Sequence, residues 1–200
     1  TRCAGRARNA GLPEMKPVLH RYTGVAITLH WLIAAAILGT FLLAQTMTEM
    51  QLSPAKLKLY SYHKWIGVTI FLLVLMRLAW RVWHRPPPPP ASMPAWQHSA
   101  ASIAHFFLYA LTLAIPVSGW LMSSASGFQV VYLGLLPIPD LLAKNKELAD
   151  QLKQLHEALN FLMLLVVALH VAAALKHHLV DRDDVLRRML PFLRQRSAPK

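Results

Sequence analysis

Ten histidines stand in a chain of 200 residues, and five of them fall in or beside long apolar runs. His30, His105 and His170 lie inside such runs, His63 sits just before one and His156 at the mouth of another. An imidazole can ligate a metal, carry a proton or bridge two helices by a hydrogen bond, and at membrane depth it is costly enough to suggest function. Spacing narrows the choice. His156 and His170 are fourteen residues apart, close to four whole helical turns, so they share one helix face about 21 Å apart along the axis. Zinc needs three or four ligands converging about 2.1 Å from one point, which such a separation forbids. The single cysteine, Cys3, excludes a disulfide framework, a cysteine-based zinc site and covalent C-x-x-C-H haem attachment. The interiors of the runs carry no acidic residue, against a carboxylate-bridged metal pair or a proton-pumping relay. Within the apolar runs no lysine precedes the end position Lys176 to form a retinal Schiff base.

The elements that must position these histidines follow from composition. The chain is 55% hydrophobic and 15% charged with a mean hydropathy of +0.36, too apolar for a soluble domain of this size. Its formal charge of +12 raises the question of nucleic acid. The basic residues crowd the ends of apolar stretches rather than forming a groove-tracking face, so nucleic acid is not expected as a partner. Four runs are long enough to cross about 30 Å of hydrocarbon, near 25–44, 65–83, 102–122 and 157–176. Every Arg falls before the first run, in the last turns of the second or the connection after it, or after the fourth. The remaining connections carry Lys56, Lys58, Lys64, Lys144, Lys146 and Lys153. By the positive-inside rule both termini are cytoplasmic. The expected fold is an all-α integral membrane protein, an up-down four-helix transmembrane bundle. Residues 1–16 read as an N-terminal extension expected to be disordered, 17–192 as the bundle and 193–200 as a basic tail. The Arg85–Pro90 run reads as a stiff extended spacer. The stretch from 140 to 156 reads as an interfacial helix capped by Asp140 and running into the fourth span.

This topology puts His30 and His170 at one inner depth, and His63 and His156 at one outer depth. Two stacked imidazole pairs from facing helices suit a flat six-coordinate ligand with an axial imidazole on each side, so two non-covalently held haem b groups are expected. Gly67 and Gly119 lie where a missing side chain would admit a porphyrin. Arg77 shares a face with His63 at inner depth and suits a haem propionate or a quinone. His105, near the cytoplasmic half, is a propionate or quinone partner or a structural hydrogen bonder. His177 and His178 follow His170 by seven and eight residues, at headgroup level, and are further quinone candidates. The tryptophans near span ends, Trp31, Trp65, Trp80, Trp83 and Trp120, read as an interfacial belt.

The run Tyr22…Leu29-His30-Trp31-Leu32, the opening His63-x-x-x-Gly67, His105…Tyr109…Pro116…Gly119, and Leu155-His156-Glu157…His170-x-x-x-Ala174…His177-His178 resemble the bacterial cytochrome b561 family over about residues 17–192. The resemblance implies a multi-pass protein of the bacterial inner membrane, a di-haem b cytochrome exchanging electrons with quinone. It also implies His30 with His170 for the inner haem and His63 with His156 for the outer, as ligands to the haem iron. Some members oxidise superoxide and pass the electron to ubiquinone. On that reading Lys56, Lys58, Lys64 and Lys153 could steer superoxide to the outer haem. The alternative is a membrane anchor and electron relay for a periplasmic dehydrogenase or hydrogenase, whose partner would be a docked redox protein. A cofactor-free structural or transporter bundle is the third reading.

Overall fold

A computed structural model describes residues 21–90 and 93–190. Four helices run up and down: α1 (Gly24–Glu49), α2 (Pro54–Trp83), α3 (Ala95–Ser126) and α4 (Lys146–Leu179). Each is long and apolar enough to cross a membrane. A hairpin of two short antiparallel strands, β1 (Val130–Tyr132) and β2 (Leu136–Ile138), joins α3 to α4, with Val131 opposite Pro137. The expected extension at 1–16 and tail at 193–200 lie outside the described residues.

All four helices exceed the apolar runs that announce them, because capping groups and not hydropathy set their ends. Thr23 and Ser53 cap α1 and α2 by accepting from the amides of Ala26 and Lys56, and Pro54 follows at the first helical position, where its missing N–H costs nothing. His63 therefore lies well inside α2 and not just before the second span. Gly127 ends α3 with φ +76°, its N–H on Ser124 O while Phe128 N–H reaches Ser123 O, the paired bonds of a Schellman cap. A Cβ there would be strained and would meet the Lys144 side chain at 3.0 Å. Asp140 does not cap α4. Asn145 does, its side chain accepting from Leu148 N, and residues 141–145 are not helical. Leu141 N–H on Ser124 Oγ and Asn145 N–H on Ala125 O hold that stretch along the end of α3. The polar register over 146–155 continues into α4 as one helix, without a separate interfacial segment.

The interior is thin, as expected of a bundle solvated by lipid. Ile33, Ile70 and Val74 form the buried cluster, with Tyr109 and Leu113 against it, while large residues such as Phe161 and Leu169 face outward. Packing is uneven around the bundle. α1 packs on α2, α2 on α3 and α3 on α4, but among the described residues α1 and α2 make no backbone contact with α4. That open seam is where the histidines meet.

Four of the tryptophans read as an interfacial belt also act as ties at the ends of the bundle. Trp31 donates to Met189 O, Trp80 to Thr23 Oγ1, Trp65 to Val131 O and Trp120 to Pro139 O. Two close the hairpin onto the helices at one end. The other two close α1, α2 and the segment after α4 at the opposite, arginine-rich end.

Candidate haem and electron-transfer site

Across the seam, His30 of α1 faces His170 of α4 with ring centres 6.3 Å apart, and His63 of α2 faces His156 of α4 at 6.4 Å. An imidazole nitrogen binds a metal at about 2 Å and lies about 1.1 Å from its own ring centre, so two axial imidazoles on one metal have centres about 6.2 Å apart. Both pairs meet this spacing, although the backbones that carry them do not touch. Their planes are steeply inclined, 71° for the first and 76° for the second.

Hydrogen bonding fixes the tautomer of one member. Ser118 Oγ donates its single hydrogen to Ile115 O at 2.8 Å and lies 2.9 Å from His156 Nδ1. A hydroxyl has one hydrogen, so it can only accept from the ring. Nδ1 therefore carries the proton and Nε2 keeps the lone pair that a metal takes, the usual division of labour in a ligating imidazole. Ser118 is a residue that the sequence reading missed. The available signal was its place one residue before Gly119 on a helix facing His156.

Gly119 and Gly67 separate in role. A Cβ on Gly119 would lie 3.1 Å from His156 Cε1, so this glycine makes room for the imidazole itself. A Cβ on Gly67 would meet nothing within 4 Å, which leaves open space beside His63.

The third-helix histidine joins the inner pair. His105 and His170 have ring centres 5.6 Å apart, so three imidazoles converge at that depth. Arg77 donates to Ala26 O at 2.8 Å and to Tyr109 Oη at 3.1 Å, placing its guanidinium one turn from His30. His177 Nδ1 lies 2.6 Å from Asp183 Oδ2 and 3.3 Å from Asp181 Oδ2, while His178 Nδ1 is buried without a hydrogen-bond partner. The candidate steering lysines are less free than the sequence suggests. Lys56 Nζ donates to Met50 O, Lys64 Nζ to Phe128 O, and Lys153 pairs with Glu157 at 3.7 Å.

Four membrane-crossing helices carrying two imidazole pairs at metal-ligand spacing define a membrane-bound b-type cytochrome fold. Residues 21–192 match the prokaryotic cytochrome b561 family, and the chain belongs to that family. It is 34% identical to cytochrome b561 homolog 2 of Escherichia coli K12 over 171 residues, covering 85% of this chain and 91% of that protein. Cytochrome b561 homolog 1 of the same organism is 31% identical over 183 residues, covering 86% and 98%. A protein of Yersinia pestis named probable superoxide oxidase CybB is 28% identical over 178 residues, covering 86% and 96%. The chain is thus a multi-pass protein of the bacterial inner membrane, an electron-transfer protein of a family that binds haem b.

Proposed function

We propose that this protein is a di-haem b cytochrome that takes electrons at its hairpin end and passes them to ubiquinone at its arginine-rich end, oxidising superoxide to dioxygen. The observation that carries the reading is the repetition of one imidazole spacing at two depths along α4. His63 and His156 would hold one haem and His30 and His170 the other. Haem held there would supply reversible one-electron chemistry. The balance is two superoxide anions, one ubiquinone and two protons giving two dioxygen and one ubiquinol.

The protein's own groups have separable tasks. Ser118 orients His156, and Gly119 leaves the ring its place. Arg77, one turn from His30, suits a propionate or a quinone oxygen, and His105 stands beside it as a second polar partner. His177 is held through Nδ1 by Asp183, which leaves Nε2 to face a quinone carbonyl and deliver a proton. The Arg skew favours an arginine-rich end and both termini in the cytoplasm, and superoxide capture would then be periplasmic. Of the four candidate lysines, Lys58 alone bonds to no acceptor among the described residues, so steering would rest on it and on the combined field of the others.

A second reading is favoured by one observation. Leu135 is 84% and Leu136 61% exposed on the hairpin, an apolar surface on which a periplasmic dehydrogenase or hydrogenase could dock and use the cytochrome as its membrane relay. Stopped-flow haem reduction by superoxide, in wild type and in Lys56→Gln, Lys58→Gln, Lys64→Gln, decides between them. A rate that falls with ionic strength and with the substitutions supports superoxide. A rate indifferent to both makes the docked relay the better account.

A further inference from the structure

The arginine-rich end contains a cavity of about 190 Å³ that the haem and quinone reading does not use in full. Arg21, Arg77, Arg81 and Arg85 line it, between the aromatic walls of Tyr22, Trp80 and Tyr109, and no carboxylate is among the lining residues. The carboxylates described nearby are engaged with other cations: Asp181 with Lys176, Asp183 with His177 and Asp184 with Arg187. Among the described residues, none pairs with Arg77, Arg81 or Arg85. So concentrated a positive charge at one cavity calls for an anion.

Depth says which anion. Arg77 lies within the span and already holds Ala26 O and Tyr109 Oη. Arg81 is one turn, about 6 Å, nearer the water, with its guanidinium 5.8 Å from the Tyr109 ring centre. Arg85 lies past the end of α2 at Trp83. Arg81 and Arg85 thus stand at the depth where a bilayer places its phosphates, and Val82 and Trp83 beside them are 78% and 76% exposed. Guanidinium groups bind phosphate oxygens in pairs, and basic pockets at the cytoplasmic ends of membrane helices suit anionic head groups. We propose that this cavity binds the phosphodiester head group of an anionic phospholipid through Arg81 and Arg85, with Arg21 lining its far wall.

The test uses the haem-loaded full chain in neutral detergent, titrated with phosphatidylglycerol or phosphatidylcholine and read by native mass spectrometry. One phosphatidylglycerol per chain should bind in preference to phosphatidylcholine. Each arginine contributes about a five-fold factor, so Arg85→Gln should weaken binding about five-fold and Arg81→Gln, Arg85→Gln about 25-fold, with the haem spectrum intact as the control for folding. Arg81→Lys, Arg85→Lys, which keeps the charge, should retain most of the affinity. Equal binding of the two lipids, or wild-type affinity in the double Gln variant, would overturn the proposal. Displacement of the lipid by inorganic phosphate would assign the cavity to a soluble phosphate instead, and displacement by a short-chain ubiquinone would return it to the quinone.

Discussion

At the scale of residues, the most informative contact is the one between Ser118 and His156. Because the hydroxyl hydrogen goes to Ile115 O, removing the hydroxyl frees the ring to rotate and to change tautomer. Ser118→Ala should weaken binding of the haem at the hairpin end by about 10–100-fold, the usual cost of losing an outer-shell partner, with the other haem unaffected. Competitive transfer to apomyoglobin measures this, and equal loss rates for both haems in the variant would contradict it. Gly119→Ala acts on the same ring from the other side, since its methyl would stand 3.1 Å from Cε1. It should move the potential and absorption maximum of one haem only, as spectroelectrochemical titration would reveal. The steep inclinations of 71° and 76° between paired rings carry a further expectation: the ferric protein should give highly anisotropic low-spin EPR signals, whereas parallel ligand planes would give ordinary rhombic ones.

At the scale of elements, how much could be read in advance depended on whether one residue or several decided the outcome. The number of spans, the pairing of His30 with His170 and His63 with His156 in space, and the position of His105 beside the same cluster were legible, because helical period and span direction fix depth and face together. Helix ends were not. Hydropathy ends α4 at its lipid-facing part, but Asn145 and the polar turn after it extend the helix outward, and Asp140 offered a plausible cap that tertiary bonds from Ser124 and Ala125 override. The hairpin was missed because three-residue strands leave no periodic signal, and it is tied to the bundle by Trp65 and Trp120, residues that composition assigns to an interfacial belt, and by the Thr69–Tyr132 hydroxyl contact. Ser118 was marked only by its place beside Gly119, because its role depends on His156, thirty-eight residues away on another helix. Asn145→Ala tests the cap directly. It should cost about 1 kcal/mol in thermal unfolding followed by helical circular dichroism, with no change in haem spectrum. A loss of haem on that substitution would mean that the start of α4, and not its midpoint, positions His156.

At the scale of the whole molecule, the bundle is open along one seam. α4 is held to the bundle through α3, and across the wider seam that separates it from α1 and α2 the paired imidazoles face one another. A protein whose helices were packed for their own sake would close that gap. Haem held across the seam would be a structural component, so removal of haem should lower thermal stability by mass action on the folded state, read as a lower midpoint in haem-depleted membranes supplied with no haem precursor. The most direct measurement of the central claim is the haem count in single-histidine variants by pyridine haemochrome assay, with protein determined by amino-acid analysis. Wild type should hold two haems per chain, and His156→Ala and His170→Ala should each hold one. Two haems retained in both variants, or one haem in wild type, would contradict the pairing.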